Sequence, residues 1–98
     1  MDRVRATREY SDACQAIDQL FDQNRNGSVS AAQFNPLRKI EIEKTLNYVE
    51  ALFEDGFSEP AGLSSHALET ASYYFLPEEI ETLLSGLPLL NAWHRKEL

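Results

Sequence analysis

The chain has one cysteine, Cys14, so no internal disulfide can form and a cysteine-built zinc site is excluded. It has no apolar run of 18 residues, which excludes a membrane-spanning helix. The start, Met1-Asp2-Arg3-Val4-Arg5, lacks the apolar stretch of a secretory leader. Without a leader, Arg95-Lys96-Glu97-Leu98, faintly like an ER-retention address, has no reader, and the expected location is cytoplasmic. There is no glycine-rich phosphate loop and no nucleophile elbow. The two histidines, His66 and His94, fall short of the three or four ligands zinc needs and are expected to face solvent. Cys14 lies on an apolar stripe and reads as an inert core thiol. Glu78, Glu79 and Glu81 open a helix, where acids favour the dipole, and lack the burial a catalytic carboxylate pair requires. No catalytic residue is expected, and the protein reads as a non-enzyme.

The most unusual shortage is of positive charge. Residues 1–44 hold seven acids and seven bases, whereas residues 45–94 hold eight acids and neither lysine nor arginine. The net charge of −7 therefore belongs to the second half. Nucleic acids and anionic membranes are held by Lys and Arg, so neither is an expected partner. An acidic half suits a protein partner with a basic surface, or serves solubility.

What is present is helical patterning in 98 residues, enough for one small domain, 1–98, with a stability on the order of 5–10 kcal/mol. Tyr10, Ala13, Cys14, Ile17, Leu20 and Phe21 form one helical stripe. That helix begins at Asp2 or Ser11, either of which can cap, and stops before Asn24-Arg25-Asn26-Gly27, whose Asn-Gly pair suits positive φ. Asn35-Pro36 reads as the cap and first position of a second helix. It runs to about Glu54 with Ile42, Leu46, Val49 and Phe53 inward, and Gly56 follows as the left-handed stop. Gly56 to Gly62 reads as a loop. A third helix is expected from Ser64 or Ser65 to about Phe75, with Ala67, Leu68, Ala71 and Phe75 inward. A fourth follows from Pro77 to Ser85, and a short fifth from Pro88 to Lys96 with Leu90 and Trp93 inward. The expected fold is all-α, a single compact bundle of four to five short helices.

Two features point to function. Asp22, Asn24, Asn26, Ser28, Ser30 and Gln33 occupy positions one, three, five, seven, nine and twelve of a twelve-residue stretch with Gly27 at six and Val29 at eight. The stretch resembles the EF-hand calcium loop, and the resemblance implies calcium at those six side chains. It departs from the pattern where Gln33 replaces the bidentate glutamate, which leaves Asp22 as the only carboxylate, beside Arg25. It also implies an exiting helix from Ala31 that would enclose Pro36. The same residues read equally as a turn followed by a Ser30–Gln33 capping box, with no cofactor. A functional pair of loops would need a homodimer, because the chain has only one.

The second feature is the run Tyr73-Tyr74-Phe75 beside Glu69. Successive helical residues turn by about 100°, so Tyr73 should point away from the core that Phe75 enters. Exposed tyrosine beside carboxylate is the composition of a protein-binding hot spot. Short acidic four-helical proteins with paired tyrosines are similar in class to the colicin-type immunity proteins. That resemblance implies an inhibitor, immunity or adaptor protein that docks a basic site on its partner. The candidate contacts are Glu50, Glu54, Asp55, Glu69 and Tyr73. A calcium-binding module, or a structural subunit of a larger assembly, is the alternative.

Overall fold

A computed structural model describes residues 2–25, 27–57 and 60–97. It is all-α, with five helices: α1 (Arg3–Gln23), α2 (Ala31–Glu54), α3 (Pro60–Ala71), α4 (Pro77–Ser85) and α5 (Pro88–Glu97). No strand occurs among the described residues.

Of the two candidate caps for α1, Asp2 prevails: its carboxylate accepts from the Val4 and Arg5 amides. At the other end the Asn24 amide nitrogen Nδ2 donates to the Leu20 carbonyl at 2.8 Å, closing the last turn. Gly27 does sit in a turn, its N–H donating to the Asn24 carbonyl. Asn26, the other member of the expected Asn-Gly pair, lies outside the described residues.

The second helix does not wait for Asn35-Pro36. It starts five residues earlier, where Ser30 accepts from the Gln33 amide and the Gln33 side chain accepts from the Ser30 amide. This reciprocal pair satisfies two otherwise orphaned donors at a helix start. Pro36 is consequently inside α2. Its missing N–H removes one hydrogen bond, to the carbonyl of exposed Ala32, near a helix end where water reaches the backbone. The other end matches expectation: Gly56 takes φ +81°, and the Phe57 N–H donates back to the Leu52 carbonyl.

The third helix is displaced in the same direction, to Pro60–Ala71 rather than Ser64–Phe75, so Gly62 lies within it. It stops at Ala71, and Leu76, which precedes Pro77, is extended (φ −72°, ψ 154°). The intervening Ser72–Phe75 segment is a series of turns, with Ser72 Oγ donating to the Glu69 carbonyl at 2.6 Å. Helices α4 and α5 appear where the prolines predict them.

Helices α1 and α2 form an antiparallel hairpin, its register marked by stacked Tyr10 and Tyr48 (5.2 Å) and by Phe21 against Phe34 at the tip. Helix α3 returns along α2, and α5 lies on α2 in the same sense as it. The core gathers Ile42, Leu46 and Val49 from α2, Ala67 and Ala71 from α3, and Leu84, Leu87 and Leu90 around the α4–α5 junction. Phe53 and Trp93 meet at its edge, 6.5 Å apart.

Glu50 corrects an expectation. Proposed from sequence as a partner contact, it is 1% exposed and lies inside. Its Oε1 accepts from the Leu90 amide at 2.8 Å and its Oε2 from the Leu89 amide at 3.1 Å. The carboxylate therefore caps α5 from a different helix, against the partial positive charge of that helix start. The turn inward also explains how Glu50 and Glu54 coexist four residues apart on α2.

Glu50→Ala strips the buried Leu90 amide and the part-buried Leu89 amide of their acceptor, at an expected cost of about 2–4 kcal/mol. In thermal unfolding that lowers the midpoint by roughly 10–30 °C at this size. Glu50→Gln keeps one acceptor oxygen and is expected to lose less than half as much.

Candidate protein-binding surface

With Glu50 removed, four of the five proposed contact residues remain at the surface. Glu54 and Asp55 lie at the end of α2, where Asp55 is ion-paired with Arg3 at 3.2 Å. The Arg3 guanidinium also stands over the Phe57 ring. Glu69 and Tyr73 belong to the opposite end of α3. The neighbouring Tyr74 is beneath Arg38, and Arg38 is 16 residues before Glu54, about 24 Å along α2. Glu69 and Tyr73 are thus both exposed within four residues of each other, and Glu54 and Asp55 lie at the far end of α2 from them.

Tyr73 is 76% exposed. It has left α3, so its outward direction comes from the turn rather than from helical phase, with its N–H donating to the Thr70 carbonyl. Tyr74 and Phe75 are half-buried, with Arg38 over the first ring and Lys39 over the second (6.0 and 5.4 Å). Leu76, which sequence reasoning passed over, is 59% exposed on the same turn. Its position before a helix-opening proline was the available signal, because an extended residue there can point outward. Exposed Glu78 and Glu81 lie just beyond on α4, while Glu79 accepts from the Leu76 amide at 2.8 Å. A cleft of about 730 Å³ adjoins the turn, floored by Leu68, Phe75, Ile80 and Leu84 and edged by Glu81 and Arg95. Half-buried His94 faces this cleft, contrary to its expected solvent position.

The chain matches no protein-family model, no curated protein and no solved structure.

The calcium-loop side chains serve the helix ends. Asn24 closes α1, and Ser30 and Gln33 open α2, with the Gln33 oxygen accepting from both the Ser30 amide and hydroxyl. Asp22 and Ser28 are exposed, and Asn26 lies outside the described residues. No group of three or more His, Cys, Asp or Glu side chains able to hold a metal occurs among the described residues. Asn24 is engaged through its Nδ2 and Gln33 through its side-chain oxygen, and Asp22 is the one carboxylate of the six, whereas hard divalent cations are generally held by several charged oxygens.

Cys14 is half-buried rather than fully buried, on the flank of α1 beside Tyr10 and Glu41. Burial pushes its thiol up, the Glu41 carboxylate pushes it further, and the Tyr10 hydroxyl pulls modestly the other way. Burial, with the neighbouring thiol, likewise raises the Tyr10 hydroxyl.

Two outcomes are expected. Calorimetric titration with millimolar calcium gives no heat beyond dilution, in the protein and in Asp22→Ala alike. The Cys14 thiol ionises at higher pH than a free thiol, so its alkylation rate is expected to rise at higher pH than in the urea-unfolded chain.

Proposed function

We propose that this protein is a non-catalytic binder of another protein, an inhibitor or adaptor, and that it docks through the turn between α3 and α4. The observation that carries the reading is the pairing of Tyr73 with Leu76, two large side chains left in water on one short turn. Exposed aromatic and aliphatic groups ringed by polar residues are what interface anchors look like before a partner covers them. Exposed Glu69 precedes the turn and exposed Glu78 and Glu81 follow it, which favours a partner whose facing surface is basic. Apolar partner side chains would find the floor of the adjoining cleft.

Affinity capture from the native cell, with mass-spectrometric identification of the partner, supplies the ligand for the test. Tyr73→Ala with Leu76→Ser is expected to weaken that partner by about 30-fold or more, the loss of a single hot spot, with little change in melting temperature. Glu69→Lys with Glu78→Lys should weaken it and flatten its dependence on salt. Glu54→Lys, about 24 Å away, should leave binding intact. Equal binding by the Tyr73/Leu76 double variant would end the proposal.

A further inference from the structure

The α1–α2 hairpin is covered on one side only. Helices α3 and α5 pack against the side of α2 that carries Ile42, Leu46 and Val49. On the opposite side, α1 contributes Ala13 and Ala16 and α2 contributes Leu37 and Ile40 to a hollow of about 400 Å³. Ile40 is 46% exposed there. Glu9 and Asp12 edge the hollow from α1 and Lys44 edges it from α2. Lys44 reaches Glu9 of its own chain at 3.5 Å, while Asp12 has no ion-pair partner among the described residues.

We propose that a second copy of this chain docks on this face, with two hairpins closing into an antiparallel four-helix bundle. The two helices of one hairpin carry opposite halves of a match. Helix α1 offers small residues and acids, and α2 offers large apolar residues and a base. A two-fold axis parallel to the helices lays α1 of one copy over α2 of the other without shifting the level of any residue. Leu37 and Ile40 then enter the hollow beside Ala13 and Ala16 of the other copy, and Lys44 meets its Asp12. A two-fold axis across the helices would instead set α1 on α1, acids against acids and small residues against small. Chemistry therefore selects the first arrangement, in which each contact occurs twice, as an isologous interface requires. Its packing is that of up-down bundles.

The size is sufficient. Twenty-one residues of α1 rise about 31 Å, and two helix diameters are about 20 Å, giving roughly 600 Å² per copy. The total of about 1,200 Å² is at the lower end of stable interfaces, so dissociation in the micromolar range is expected. The residues involved are distinct from Glu69, Tyr73 and Leu76, and the dimer stands or falls separately from the docking turn.

Light scattering over a micromolar-to-millimolar concentration series tests it. The expected result is a rise from monomer to dimer mass, lost in Ile40→Glu, whose side chain is already half in water and whose replacement should leave the helical circular dichroism unchanged. Orientation is read separately in a Cys14→Ser background. Ala16→Cys chains mixed with Ile40→Cys chains should oxidise to mixed dimers in excess over either homodimer. A monomer throughout the series overturns the proposal. So does a dimer indifferent to Ile40→Glu, or a mixture in which the homodimers prevail.

Discussion

The acceptance of two α5 amides by the Glu50 carboxylate joins the two parts of this structure. Helix α2 touches α1, α3 and α5, and α5 in turn holds α4. Burying a carboxylate is unfavourable unless its charge is matched. Here the match is a helix start. Pro88 occupies the first position of α5 and has no N–H to satisfy, so the first amides needing an acceptor are those of Leu89 and Leu90. Both point at Glu50. Leu90, immediately after, is fully buried beside Leu46 and Val49, and Trp93 one turn later reaches Phe53. The polar contact fixes the level of α5 along α2, and the apolar ones follow from that level.

Much of this fold was legible because its core positions obey local periodicity. Ile42, Leu46, Val49 and Phe53 recur on one face whatever packs on them, and Ala67, Ala71 and Leu90 are buried as their helical phase implies. Helix starts were less legible where two local signals compete. Asn35-Pro36 is a good start, but Ser30 and Gln33 form a reciprocal cap, and the capping box satisfies more donors than the proline forfeits. The burial of Glu50 was legible only in part. It stands nearer the core stripe than Glu54 does, but its partners are 39 and 40 residues away. They come within its reach only at the level at which α5 arrives.

The candidate surface was legible in part for a related reason: a sequence counts charges, whereas a surface shows what remains after tertiary partners are assigned. Among the second half's acids, Glu50 faces a helix start, Asp55 is paired with Arg3, and Glu79 accepts from the Leu76 amide. The bases of the first half cross over as well, Arg38 and Lys39 lying on Tyr74 and Phe75. The acidic half is therefore no uniform field. What it leaves outward on the α3–α4 side is Glu69, before the turn, and Glu78 and Glu81, after it. Tyr73 was found from sequence by helical phase, although the helix ends before it, because a turn with Phe75 inward also leaves Tyr73 outside.

That turn is held from below, which bears on the docking proposed for it. An exposed side chain on a loose loop loses backbone freedom when a partner orders it, and affinity falls by that cost. Tyr73 does not face that cost in full. The Tyr73 and Tyr74 amides donate to Thr70 and Ala71, and the Leu76 amide is captured by Glu79. The adjoining rings of Tyr74 and Phe75 are covered by cations from α2. A tyrosine has only two side-chain torsions left to fix. An anchor so constrained needs few surrounding contacts to reach useful affinity, which is consistent with a small domain that offers one short turn and the cleft beside it.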